Sequence, residues 1–200
     1  MELCGFMLDN TIRMLGNLVY SLFIFISLQA HAQQDSQCTN NSVQETMQQR
    51  KRSFKTFYKP GSPIQNLNFG SFELYDFKSE ISLVLFWKTD CMYCKNLLEI
   101  VDSLLQQTTE RQLTIVAVCL DTTIRTWQQH PFVKKHYPHL YTICDGQGYW
   151  GNIASICSVY GTPTMLLLDR DKRFLKLPSS VNDLKRIVLI ETRNELLNGG

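Results

Sequence analysis

The residues of this chain best suited to chemistry are its seven cysteines, and only two of them are close in sequence, as Cys91-Met92-Tyr93-Cys94. They follow the apolar run Ile81–Trp87, a predicted strand, and open a predicted helix over Met92–Gln107, with Leu97, Leu98, Val101, Leu104 and Leu105 along one stripe. A thiol at a helix N-terminus faces unpaired backbone N–H groups and the positive end of the helix dipole, and both favour the thiolate. The two intervening residues place the second sulfur one turn on, within reach of a short disulfide. Cys91 is expected to be the exposed attacking thiol and Cys94 the shielded one that resolves a mixed disulfide. An inert bridge is the plain alternative, but a structural disulfide has little need of so tight a loop at a helix start.

The other cysteines read differently. Cys119 falls inside the apolar run Leu113–Leu120 and is expected to be a buried small hydrophobe. Cys144 and Cys157 flank a turn and a helix and are candidates for a structural disulfide. Cys38 stands alone in a polar stretch, where it is either a reactive thiol or one end of an intermolecular bridge. A metal site would need four suitably placed ligands, and there is no second Cys-x-x-Cys. His130, His136 and His139 lie in a stretch broken by Pro131 and Pro138, where surface or packing roles outweigh ligation. No metal and no organic cofactor is expected, because a cysteine pair itself carries two electrons.

These thiols must be held by a frame, and the hydrophobic pattern supplies one. Ile81–Trp87, Leu113–Leu120 and Thr164–Leu168 are nearly unbroken apolar runs, as expected of strands covered on both faces. Ser71–Phe77 reads as an additional first strand, and Asp169–Lys172 as a turn into a last strand over Arg173–Leu177. Asp121, Thr122 and Thr123 offer N-caps for a helix. Tyr149–Val159 fits a short helix, and Val181–Leu197 an amphipathic one that closes the chain. Strand–helix–strand units followed by a hairpin and a final helix predict an α/β fold, a central mixed sheet flanked by helices on both faces.

Composition narrows the class. With 20 Lys+Arg against 18 Asp+Glu, the net charge of +2 is far from the basic excess of a nucleic-acid binder. At 44% hydrophobic and 19% charged the chain is expected to fold rather than remain disordered. Arg13 precedes the apolar stretch 15–28, and Ala30-His31-Ala32 offers small residues before a cut at Gln33. A basic flank, a short apolar core and such a box predict a secretory signal peptide over 1–32, with an uncleaved membrane anchor as the alternative. Export would be periplasmic if the source is bacterial, and any membrane association would run through that segment. Residues 33–59 read as a polar arm, and its cluster of Arg50, Lys51, Arg52, Lys55 and Lys59 as a solvated face rather than a membrane contact. Asn40-Asn41-Ser42 matches a glycosylation sequon, which matters only in a eukaryotic secretory route. Pro60-Gly61-Ser62-Pro63 is a turn that marks the start of the folded domain, 60–200.

A second motif joins the first. Tyr160-Gly161-Thr162-Pro163-Thr164 precedes a buried strand, and Leu85-Phe86-Trp87-Lys88-Thr89-Asp90 leads into the cysteine pair. Together they make residues 60–189 resemble the thioredoxin superfamily, specifically its exported TlpA/ResA-like thiol–disulfide oxidoreductases. The resemblance implies a thioredoxin-like fold, catalysis by Cys91 and Cys94, and a cis Thr162–Pro163 bond beside them. It further implies a substrate-binding surface that includes Thr162, Pro163, Trp87 and Tyr93. Its partners would be protein thiols or disulfides and an upstream thiol electron donor. A proline before a strand has a physical use, since it donates no ladder hydrogen bond and leaves backbone free for an extended substrate.

The chain departs from that family's pattern at several positions. Thioredoxins carry a buried acid six residues before the first cysteine, and here that residue is Leu85. The TlpA/ResA-like group often has a glutamate six residues after it, and here it is Leu97. The usual tryptophan before the motif is Asp90, whose charge should oppose thiolate at Cys91 while Lys88 and Lys95 favour it. Glu99 lies too far along the helix to replace a missing acid. A related peroxidase would need a hydroxyl residue three positions before its nucleophile, where Lys88 stands. The expectation is an exported thiol:disulfide oxidoreductase, with a non-catalytic thioredoxin-fold binding module as the alternative.

Overall fold

The computed structural model describes residues 42–53, 58–178 and 180–198. The expected signal peptide with Cys4, the polar stretch holding Cys38, and the asparagines of the sequon lie outside the described residues. The chain divides into two compact units, 1–48 and 49–200. Residues 42–53 are helical (α1), with the last five belonging to the larger unit.

The larger unit is built on five strands: β1 (Ile81–Trp87), β2 (Leu113–Cys119), β3 (Leu140–Cys144), β4 (Thr164–Leu168) and β5 (Phe174–Lys176). Their order across the sheet is β3-β2-β1-β4-β5. β1 pairs parallel with β2, and β2 parallel with β3, whereas β4 runs antiparallel to both β1 and β5. Every residue of β1 and β2 is buried, which is why their sequences show no polar alternation. On one face Leu83, Leu85, Ile115 and Ala117 meet Leu97, Val101 and Leu104 of α2 (Met92–Gln107), and Leu184 and Val188 of α5 (Val181–Asn198). Trp127 of α3 (Ile124–Gln129) packs against the same cluster. On the other face Val84, Phe86, Val116 and Val118 meet Leu67, Leu74 and Ala154, the last from α4 (Asn152–Ile156). The fold is an α/β, thioredoxin-like mixed sheet with helices on both faces. Truncating a fully buried leucine such as Leu97 or Leu104 to alanine would cost about 2–5 kcal/mol.

Several expectations are corrected. Ser71–Phe77 is not a strand: Leu74–Asp76 is a single 3-10 turn, closed by a reciprocal pair in which the Glu73 N–H donates to Asp76 Oδ2 at 2.7 Å. Its aromatic residues serve a ring cluster instead, with Phe72 and Phe77 each within 5 Å of the Tyr141 ring centroid. Tyr149–Val159 splits into a 3-10 turn, Gly148–Trp150, and the short α4. β3 was not foreseen in the proline-broken region. It is an edge strand of half-buried residues, so neither period marks it. Of the surface and packing roles expected for the histidines, His139 takes the packing one: it is buried just before β3, and burial holds its imidazole below the ordinary value. The turn at Pro60–Pro63 does form: Gly61 has φ +81°, which favours glycine, and Ser62 N–H donates to Lys59 O at 3.0 Å.

Candidate active site

β1 delivers the chain to the cysteine pair. Beyond Trp87 the segment Lys88–Asp90 crosses the end of the sheet, and Cys91 becomes the N-cap of α2, its Sγ accepting the Cys94 N–H at 3.1 Å. The two sulfurs lie within disulfide-bonding distance, with their Cα atoms 5.2 Å apart. Cys91 is half-buried and Cys94 is 1% exposed. One sulfur can thus be attacked from outside while the other is shielded, at the start of a sixteen-residue helix whose dipole favours negative charge on Cys91.

The segment before the pair is fixed by a residue that pattern reading assigned to another task. Asp121, buried just past β2, does not cap α3; Thr123 is its N-cap and makes no side-chain cap hydrogen bond. Instead the Asp121 carboxylate accepts Thr89 N–H at 3.2 Å and the Thr89 hydroxyl at 2.6 Å. The only sequence signal was an acid at the end of an apolar strand, which reads equally well as a cap. Asp90 forms an ion pair with Lys88 at 3.1 Å, which offsets its charge beside Cys91, and that hydrogen bond raises the Lys88 ammonium above its ordinary value.

Across from α2, His130, Pro131 and Phe132 form the far wall of a cavity of about 480 Å³ that Cys91, Met92 and Leu98 line from the helix side. The His130 ring meets Trp87 edge-on at 4.9 Å, and its Nδ1 accepts the Phe132 N–H at 3.3 Å. Burial lowers the His130 pKa, so the ring is neutral at neutral pH. Met92 and Tyr93 project into solvent, 76% and 72% exposed. Trp87, by contrast, is fully buried and supports the site from below, which corrects the expectation that it meets substrate.

The Thr162–Pro163 bond is cis. The last cross-strand pair of β1 and β4 is Phe86 with Thr164, so Pro163 continues β4 to the level of Trp87, at the sheet end from which the cysteine segment leaves. Thr162 and Pro163 are both half-buried, and the Tyr149 and Thr162 hydroxyls lie 3.4 Å apart. Arg50, expected in a solvated basic cluster, is turned inward. Its Nη1 donates to the carbonyls of Tyr149 and, at 3.3 Å, of Val159, and its Nη2 to Ser155 Oγ at 2.8 Å. The guanidinium lies 5.0 Å from the centroid of Trp150. Nothing in the local sequence distinguishes Arg50 from its basic neighbours.

The remaining thiols are also placed. Cys157 packs on the opposite face of the sheet from Cys144, so the candidate Cys144–Cys157 disulfide does not form. Burial raises the Cys157 thiol to about 12. Cys119 is buried, as expected. Among the described residues no cluster of three His, Cys, Asp or Glu side chains could hold a metal ion. Leu85 and Leu97 are both fully buried.

The AhpC/TSA family model matches residues 52–177. Among curated proteins none matches the chain. Among solved structures, the C-terminal domain of a protein described as a thiol-disulfide oxidoreductase of Bacteroides thetaiotaomicron is 16% identical, covering 68% of this chain and 98% of that one with a TM-score of 0.59. The thioredoxin domain of a thiol-disulfide oxidoreductase of Bacteroides vulgatus is 18% identical over 66% of this chain and 96% of its own, with a TM-score of 0.56. A thiol:disulfide interchange protein from a Bacteroides species is 19% identical over 68% and 91%, with a TM-score of 0.52. These likenesses show the thioredoxin-like fold.

Proposed function

The chain belongs to the AhpC/TSA family, with a thiol–disulfide oxidoreductase-like fold, and from that premise we propose that it is an exported enzyme exchanging the Cys91–Cys94 dithiol and disulfide with protein substrates. The observation that carries the reading is the asymmetry of the pair: a half-exposed sulfur at a helix N-terminus within bonding distance of a buried one. In the reducing direction Cys91 thiolate attacks a substrate disulfide, forming a mixed disulfide and releasing one substrate thiolate, which takes a proton from solvent. Cys94 then loses its proton and attacks Cys91 Sγ. The second substrate thiol leaves, and two electrons have passed from protein to substrate. An upstream thiol donor restores the dithiol by the same exchange.

Each site residue has a part in this scheme. Thr162 and Pro163 present a backbone edge with no proline N–H to occupy it, and Tyr93 offers an exposed ring beside the sulfur. The position three residues before Cys91 holds Lys88 and not a hydroxyl residue, which favours disulfide exchange over peroxide reduction. Export is supported by the basic flank, short apolar core and small-residue box of residues 1–32.

A Cys94→Ser variant tests the exchange step. Expressed in full, it should accumulate partners covalently attached through Cys91 and released by dithiothreitol, while Cys91→Ser traps none. Equal recovery from both variants would support the binding-module alternative. N-terminal sequencing of the exported protein should begin at Gln33, and retention of residues 1–32 on a membrane-bound protein would instead favour the anchor.

A further inference from the structure

A second pair of sulfurs stands at the same end of the sheet. Cys119 and Cys144 are the last residues of the neighbouring parallel strands β2 and β3, and they are direct register partners. Cys119 is in turn the register partner of Trp87, from which the Cys91 segment departs. Adjacent strands lie about 4.8 Å apart. That separation falls inside the Cα–Cα range of about 4.4–6.8 Å that disulfides span. Both side chains lie on the face covered by α2 and pack in the same cluster. Neither is bonded to any other cysteine.

The two are unequal in the same sense as Cys91 and Cys94. Cys144 is half-exposed and donates from Sγ to the Asp121 carbonyl at 3.5 Å. Cys119 is fully buried. Burial raises both thiols above the ordinary value. Cys144, the half-exposed one of the two, meets solvent first.

We infer that Cys119 and Cys144 are a second redox-active dithiol, which low-molecular-weight disulfides such as oxidised glutathione close into a bridge between β2 and β3. The Cys144 thiolate attacks one sulfur of the small disulfide. That S–S bond breaks, one small thiolate leaves and takes a proton from solvent, and a mixed disulfide stands on Cys144. Cys119 gives up its proton and attacks Cys144 Sγ, expelling the second small thiol. Two protein thiols are oxidised, and one small disulfide is reduced to two thiols. A large substrate is not required to reach Cys119, because only Cys144 meets the incoming disulfide. The inference is independent of the role given to Cys91 and Cys94.

The test uses the full wild-type chain, reduced and then treated with oxidised glutathione at about pH 8.5, where partly raised thiols still supply thiolate. After blocking with iodoacetamide and digestion without reductant, mass spectrometry should find the peptides of Cys119 and Cys144 joined, lighter by two hydrogens than the pair of thiol peptides. Cys119→Ala should instead leave one glutathione on Cys144, and Cys144→Ala should leave Cys119 a free thiol. The same cross-link should appear in the Cys91→Ser/Cys94→Ser protein, which separates this site from the first. Recovery of Cys119 and Cys144 as separately alkylated thiols once Cys91 and Cys94 are fully oxidised would overturn the inference. So would a Cys144–Cys157 link in their place.

Discussion

Cys91–Cys94 and Cys119–Cys144 put the same elements at one end of a sheet in two different electrostatic settings. Each pair couples a half-exposed sulfur to a buried one, and each lies on the α2 face. Cys91, however, caps a sixteen-residue helix and accepts an N–H of its first turn, whereas Cys144 ends an edge strand beside the Asp121 carbonyl. Burial raises Cys144 above the ordinary thiol value. Spacing decides which sulfurs can bond, and the field around them decides which react at neutral pH.

The largest effect should appear in alkylation of the reduced protein. At pH 7, iodoacetamide should modify Cys91 on the order of 100-fold faster than Cys144, since a helix N-terminus lowers a thiol pKa by units while burial raises it. Comparable rates, read by peptide mass spectrometry, would break the comparison. Raising the pH should narrow the gap. Below its pKa a thiol gains roughly tenfold in thiolate per pH unit, so the Cys144 rate should still be climbing at pH 9 after that of Cys91 has levelled. A Cys144 plateau near neutrality would contradict the rise that burial imposes on its thiol.

Asp121 lies between the two regions. It holds Thr89 ahead of Cys91 through its carboxylate and receives Cys144 through its carbonyl. Asp121→Ala removes only the carboxylate and should cost about 1.5 kcal/mol in a denaturant titration, the worth of hydrogen bonds to a charged acceptor. The Cys119–Cys144 cross-link should survive, and its loss would show that the carboxylate serves both pairs. The smallest effect is expected from Arg50→Ala, which frees the carbonyls of Tyr149 and Val159 flanking the Thr162 loop. KM for a protein disulfide should rise about threefold, roughly 0.6 kcal/mol, with kcat unchanged. A fall in kcat alone would place Arg50 in a different role.

How far the sequence could be read follows from the same physics. β1, β2 and β4 were legible because strands buried on both faces leave apolar runs, and α2 because its stripe repeats at the helical period. The Cys91–Cys94 pair was legible because it sits at an element boundary that the pattern marks, whereas the cis Thr162–Pro163 bond followed only from the family resemblance. β3 was hidden because an edge strand of half-buried residues carries neither period. The aromatic residues of Ser71–Phe77 mimicked a strand while serving a ring cluster. The partner of Cys144 was beyond reach, since it depends on a β2–β3 register that sequence separation does not reveal. Arg50 and Asp121 were seen as residue types, but their hydrogen-bond partners, respectively about a hundred and thirty-two positions away, exist only once the chain is folded.

Insulin-disulfide reduction measures the thiol exchange proposed for Cys91 most directly. With dithiothreitol as donor, the chain beginning at Gln33 should turn insulin over repeatedly, and Cys91→Ser should fall to the uncatalysed rate while Cys144→Ser stays within about twofold of wild type. Equal, negligible rates for wild type and Cys91→Ser would contradict that exchange.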